Sequence, residues 1–219
     1  MTKLKYEFNE KVHAILINPY LSLEDFNANC ELIKNYNIKN ITTTLNFLFH
    51  LKKAMSNHKV KINALISYPL SDLPFSFINE LISYAKDQGA NGIEYCPNFF
   101  NLSKNNFDTF ASELEIIKNS ELPSTIIINK TKLDQELFKK AIEISLELGI
   151  ENFQLGDGFG SYLSSQEILK LLKLIGNQNF IKVVGGIKKL TQVIDLFDLG
   201  ITCVGTSNYY DIFKEIKVF

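Results

Sequence analysis

Phe180-Ile181-Lys182-Val183-Val184-Gly185-Gly186-Ile187 is the stretch on which the fold turns. An apolar run of strand length passes directly into two glycines, and a helical pattern begins near Leu190. Strand, glycine turn and helix together make the unit of a parallel sheet wrapped by crossover helices. Val204-Gly205-Thr206-Ser207-Asn208 repeats the turn further on, with hydroxyls added. Upstream, β-rich runs alternate with helical segments at residues 13–18, 40–44, 61–67, 92–96, 124–129 and 152–155, which with 180–184 and 202–204 make eight. Eight such units predict an α/β chain closed into a (β/α)8 TIM barrel.

The intervening segments carry helical stripes. Phe138, Ile142, Ile144 and Leu148 share one face, and Ile168, Leu171, Leu172 and Ile175 share another, with Gly149 and Gly176 placed to end those helices. Ser22 before Asp25 and Ser164 before Glu167 have the spacing of N-terminal caps, in which a hydroxyl accepts a free amide of the first turn. No Pro/Gly/Ser-rich linker divides the chain, so residues 1–219 are expected to form a single barrel domain.

Composition narrows the function. The chain is 46% apolar, enough for a sizeable core, and its 23 basic residues, every one of them lysine, nearly balance 24 acidic ones. Without arginine there is no planar fork for bidentate base or phosphate recognition, and nucleic acid is not an expected partner. Neither a membrane span nor a signal peptide is expected, since no apolar run approaches roughly 20 residues and Met1-Thr2-Lys3-Leu4-Lys5-Tyr6 has no apolar core; a cytoplasmic location follows as an expectation. Cys30, Cys96 and Cys203 are scattered without CxxC spacing, and His13, His50 and His58 show neither HxH nor HExxH spacing. No metal and no other cofactor is expected, His50 and His58 read as surface residues, and the cysteines read as small buried side chains.

In such a barrel, chemistry sits at the carboxyl ends of the strands, and phosphate commonly binds the loops after strands seven and eight. Gly185, Gly186 and Gly205 stand there, with Thr206 and Ser207. Missing Cβ atoms let backbone amides approach an anion, and the following helix adds its dipole. Gly156-Asp157-Gly158-Phe159-Gly160 is a third glycine turn; it does not meet GxGxxG and follows strand six, so it is not read as a dinucleotide loop.

The run Gly149 to Phe159, GIENFQLGDGF, resembles without a gap the deoxyribose-phosphate aldolase signature that reads roughly GADFIKTSTGF. Ile66-Ser67-Tyr68-Pro69-Leu70 is similar to that family's IGFPLG, Gly89 to Glu94 to its GADEID, Lys182 to Ile187 to its KASGGI, and Gly205-Thr206-Ser207 to its closing GTS. Ile17-Asn18-Pro19 with Ser22 and Glu24-Asp25 echoes LKP-x-x-T-x-x-D. The resemblance covers nearly the whole chain in order.

What it implies at the catalytic positions is a departure. The strand-six lysine that forms the family's Schiff base corresponds to Gln154, whose amide nitrogen is not nucleophilic. The strand-seven lysine is retained as Lys182, and the strand-four aspartate corresponds to Glu94. Leu155, Gly156 and Asp157 replace the family's hydroxyl residues of the strand-six turn, His13 its first-strand aspartate and Thr125 its strand-five lysine. The phosphate end, Gly158, Gly185, Gly186, Gly205 and Ser207, is kept.

The sequence therefore predicts a deoxyribose-phosphate aldolase-like protein that binds a small phosphorylated sugar or aldehyde, with standard class I aldol cleavage disfavoured by Gln154. Two alternatives stand beside it. One is an active lyase, aldolase or isomerase using Lys182 with Glu94, in which Glu94 and Asp157 share acid–base work; the other is a non-catalytic regulatory or structural relative. For Lys182 the competing expectation is an ion pair with Glu94 or Asp157 across the mouth, and Asp157 also reads as a helix cap. Lys130 reads as a solvated loop lysine, and a homodimer is left open.

Overall fold

The computed structural model describes residues 8–129, 133–156, 158–159 and 162–218. Its parallel strands close on themselves: β1 (Val12–Leu16), β2 (Asn40–Thr44), β3 (Lys61–Ile66), β4 (Gly92–Tyr95), β5 (Ser124–Ile128), β6 (Asn152–Leu155), β7 (Phe180–Val184) and β8 (Cys203–Thr206). Each pairs with the next, and β8 returns to β1 with Val12 beside Val204 and Ala14 beside Thr206. The main outer helices are α1 (Leu23–Asn35), α2 (Leu48–Ala54), α3 (Ile78–Asp87), α4 (Phe99–Ser103), α5 (Phe107–Lys118), α6 (Gln135–Glu147), α7 (Ser165–Ile175), α8 (Leu190–Asp198) and α9 (Tyr209–Val218). This is a (β/α)8 barrel, with all eight expected strands in place.

The strands sort their side chains by the period of two that a pleated backbone imposes. Ile41, Ile62, Ala64, Ile93, Tyr95, Ile126, Ile128, Phe153, Leu155, Ile181, Val183 and Val204 face outward into one apolar core shared with the helices. The α7 stripe Ile168, Leu171, Leu172 and Ile175 is buried in that core, as are Phe138, Ile142 and Ile144 of α6; Leu148 is only half-buried and caps α6 instead. Burying a Leu or Ile side chain contributes about 1.5–3 kcal/mol, so this shell supplies the main cohesion.

Local chemistry sets the helix ends. Ser22 Oγ accepts the Asp25 amide at 3.0 Å, and Ser164 with Glu167 forms a reciprocal capping box at the start of α7. Five strands differ in their bounds from expectation. β3, β4 and β5 each stop one residue early, at Ile66, Tyr95 and Ile128, while β1 runs Val12–Leu16 rather than 13–18, and β8 runs Cys203–Thr206 rather than 202–204. Gly205 and Thr206 are therefore the last rungs of the sheet, held in register with Val184 and Ala14, and the turn begins at Ser207.

Candidate active site

Beside the apolar Ile15, Leu65, Ile127 and Val184, the interior-facing side chains include a polar layer, and hydrogen bonds between strands that are not neighbours prove where it points. Lys182 Nζ on β7 reaches Glu94 Oε1 on β4 at 2.5 Å and Thr42 Oγ1 on β2 at 3.0 Å. Thr42 Oγ1 in turn donates to Glu94 Oε1 at 2.8 Å, and Asn63 Nδ2 on β3 approaches the same oxygen at 3.3 Å. Only the barrel axis lies between β2, β4 and β7. Lys182 and Glu94 are each 1% exposed, so this is a fully buried ion pair whose remaining donors and acceptors must come from its neighbours.

Gln154 lies beside Lys182 in the β6–β7 register and shares its side of the sheet. Its Nε2 donates to the Gly156 carbonyl at 3.1 Å, which fixes the amide's orientation because that oxygen can only accept. The Gln154 Oε1 and Glu94 Oε2 atoms are both buried, and neither has a partner among the described residues.

Two cavities flank this layer. At the carboxyl ends of the strands a mouth of about 200 Å³ is lined by Gln154, Glu94, Thr42 and Tyr68 together with Gly158, Gly185, Gly186, Gly205, Thr206 and Ser207. All six residues expected at the phosphate end thus surround one cavity with Gln154 and Glu94. At the opposite end a cavity of about 580 Å³ is lined by His13, Asn40, Lys61, Asn63, Thr125, Asn152 and Lys182, and Glu94 lines this one too. Lys182 is not part of the mouth lining. The expected pair with Glu94 forms, but beneath the mouth rather than across it, because the lysine stem runs under Gly205.

The glycine loops are braced from outside. Gly185 and Gly186 adopt φ of 110° and 67°, and a Cβ on Gly186 would lie 2.8 Å from the Tyr162 amide nitrogen. Gln192 of α8 accepts the amides of Lys188 and Lys189 at 2.8 and 3.0 Å and donates to the Gly186 carbonyl at 3.1 Å. Thr206 Oγ1 donates to the Ile187 carbonyl at 2.7 Å and accepts the Asn208 amide at 2.9 Å, tying the two loops together. The Thr206 hydroxyl is therefore spent on the loops, while Ser207 is exposed.

His13 sits in the lower cavity, 6% exposed, and burial first, then the charges of Lys182 and Lys61, hold its imidazole well below the usual 6.5. Cys203, paired in register with Lys182, has its thiol pushed up to about 12 by burial. All three cysteines are buried and none is in a disulfide, and His50 and His58 are exposed. Asp157 and Lys130 lie outside the described residues. Among the described residues no cluster of His, Cys, Asp or Glu is placed to hold a metal ion, and no helix is long and apolar enough to cross a membrane.

Thr42, Asn63, Tyr68 and Gln192 were not singled out from sequence. Polar residues at every second strand position, Asn40-Thr42-Thr44 and Lys61-Asn63, were the available signal for the first two. Gln192 carries no comparable mark, since its role is to reach back to a loop.

A protein from Dictyoglomus turgidum named deoxyribose-phosphate aldolase is 27% identical over 215 residues, which cover 97% of this chain and 98% of that one. The chain is thus similar to the deoxyribose-phosphate aldolases along nearly the whole length of both sequences. No family model matches it. Among solved structures, "QR15, an Aldolase" superposes with a TM-score of 0.89 at 20% identity over 96% of each chain. The deoxyribose phosphate aldolase of Aeropyrum pernix, described as a unique tetrameric structure, superposes with a TM-score of 0.85 at 15% identity, covering 99% of this chain and 93% of that one. The deoxyribose-phosphate aldolase barrel is thus kept at low identity, with Gln154 and Lys182 side by side inside it.

Proposed function

We propose that this chain is a deoxyribose-phosphate aldolase-like protein that binds a small phosphorylated sugar or aldehyde in the mouth cavity, without the family's strand-six Schiff base. The observation that carries the reading is the sharing of one cavity by Gln154 and the three glycine loops. Backbone amides at Gly185, Gly186 and Ser207 receive the phosphate, the amino ends of α8 and α9 add their dipoles, and Lys188 at the rim adds charge. The reacting end of the ligand lies over Gln154 and Glu94. An amide nitrogen has its lone pair delocalised into the carbonyl, so Gln154 does not add to an aldehyde to give the iminium that carbon–carbon cleavage requires. The proposal needs neither metal nor cofactor.

A second reading has one observation in its favour. Glu94 lines the mouth with an oxygen that has no partner among the described residues, and it holds Lys182 by the other. A lyase, aldolase or isomerase built on that pair would use Glu94 for proton transfer and Lys182 as the amine. Against it, Lys182 is bonded to Glu94 and Thr42 and lies outside the mouth lining, and a protonated amine is no nucleophile.

Borohydride trapping separates the readings. The full chain is incubated with deoxyribose 5-phosphate or acetaldehyde and reduced, and adducts are mapped by peptide mass. Saturable phosphosugar binding with no adduct at Lys182 is the expected result. An adduct at Lys182, absent in Lys182→Ala, overturns it in favour of the relocated Schiff base. No phosphosugar binding removes the phosphate reading and leaves the regulatory or structural relative; sedimentation of the same sample reads whether that relative is a homodimer.

A further inference from the structure

The floor of the barrel is hollow. A (β/α)8 barrel ordinarily fills its interior with layers of bulky branched side chains. At the amino ends of these strands the lining is small or polar, with Gly92, Thr125, Asn152 and Cys203, and a cavity of about 580 Å³ remains. His13 lines it at 6% exposure, and its Nδ1 is buried with no hydrogen-bond partner among the described residues. Lys182 lines it too; its ammonium has three donors and spends two, on Glu94 and Thr42. Lys61 stands exposed at the rim, in no ion pair among the described residues.

We infer that this lower cavity is a second binding site, for a small carboxylate monoanion held between His13, Lys61 and the remaining N–H of Lys182. Charge selects the ligand. Lys11, Lys61 and Lys182 line the cavity against Glu10 and Glu94, which leaves one positive charge in excess. Lys182 is matched by Glu94 at 2.5 Å, and the exposed Glu10 is the chain neighbour of Lys11, so the unmatched cation is Lys61. Cys203 adds no charge, because burial pushes its thiol up to about 12. A cation would join three lysines, whereas one carboxylate balances Lys61 and gives the His13 imidazole a partner. Burial first, then Lys182 and Lys61, keeps that imidazole neutral; a bound carboxylate offsets the two lysines and draws its pKa back up. His13 and Lys61 are absent from the mouth lining, so the site is independent of the phosphate reading.

Imidazole NMR of the full chain tests this, with acetate replacing chloride at constant ionic strength and at a pH just below the ordinary histidine value of about 6.5. The His13 resonance is the one missing from His13→Gln. The expected result is a saturable shift of that resonance with rising acetate, and an increase in its apparent pKa that His50 and His58 do not share. Lys61→Gln should weaken acetate binding by about two- to fivefold, the range an exposed ion pair supplies, and Lys61→Glu should lose the response. An unmoved His13 resonance overturns the assignment and leaves a water-filled cavity. A linear drift common to His13, His50 and His58 overturns it in favour of a bulk-ion effect. A saturable shift equally strong in Lys61→Glu overturns it by placing the acetate elsewhere, and unweakened binding in Lys61→Gln gives the same decision if the glutamate variant does not fold.

Discussion

A Cβ on Gly205 would lie 2.8 Å from Lys182 Cε, so the lysine reaches Glu94 only because β8 has no side chain at that rung. The same hypothetical atom would lie 2.9 Å from Ile15 Cδ1 and 2.9 Å from Val184 Cγ2. Gly205 is therefore a packing requirement of the buried ion pair as well as a member of the mouth lining, and the two roles are separable by mutation.

Gly205→Ala should lower stability by about 1–3 kcal/mol, the usual cost of forcing a methyl into a filled interior. Urea unfolding should show a lower midpoint at an unchanged slope. A midpoint equal to the wild type would mean that Lys182 does not occupy the space under Gly205.

The Lys182–Glu94 pair should behave as a unit. Lys182→Met or Glu94→Gln alone strands a buried charge and should cost about 3–5 kcal/mol. The double variant should cost clearly less than the sum of the two, a coupling that a double-mutant cycle reads directly. Additive losses would place the two side chains apart.

Restoring an amine at position 154 should restore carbonyl capture. Gln154→Lys sets a lysine beside Lys182 in register, where a neighbouring cation favours the neutral, nucleophilic form. Acetaldehyde with borohydride should add one ethyl group at residue 154 in the variant and none there in the wild type. A variant that folds, binds phosphosugar and captures no aldehyde would show that position 154 does not face the reacting end.

His13 predicts a pH dependence with a definite sign. Its folded pKa lies well below 6.5, so as pH falls past 6.5 the unfolded chain binds a proton that the folded chain refuses. Stability from this group is complete above pH 6.5 and is lost as pH falls from there toward the folded pKa. Glu113, whose carboxyl is raised from 4.5 chiefly by burial, acts in the opposite sense above that value, so the informative quantity is wild type minus His13→Gln. That difference should shrink in favour of the variant on acidification below pH 6.5, followed by thermal unfolding. A pH-independent difference would mean that the imidazole is not held neutral.

Most of the barrel was legible in sequence because its signals are local. Ile126-Ile127-Ile128 marks a strand buried on both faces, and Ser164 with Glu167 marks a helix start within four residues. The mouth was legible for the same reason, since a glycine pair after a strand announces a turn wherever it occurs. The strand ends were less so: Gly205 and Thr206 look like turn residues in sequence, yet pairing with β1 and β7 extends the sheet through them.

The sequence by itself determined the order of strands and helices, the inward or outward face of each strand residue, and the presence of glutamine where the family resemblance implies an amine. Only the tertiary structure decided depth along the barrel axis. Gln154 and Lys182 are register partners with the same facing, yet Gln154 lines the mouth while Lys182 lines the cavity below and meets Glu94 from across the barrel. Facing follows from the two-residue period of one strand, whereas depth follows from the stagger of eight strands around a closed sheet. The first is a property of neighbours in the chain; the second exists only once the first strand and the last have paired.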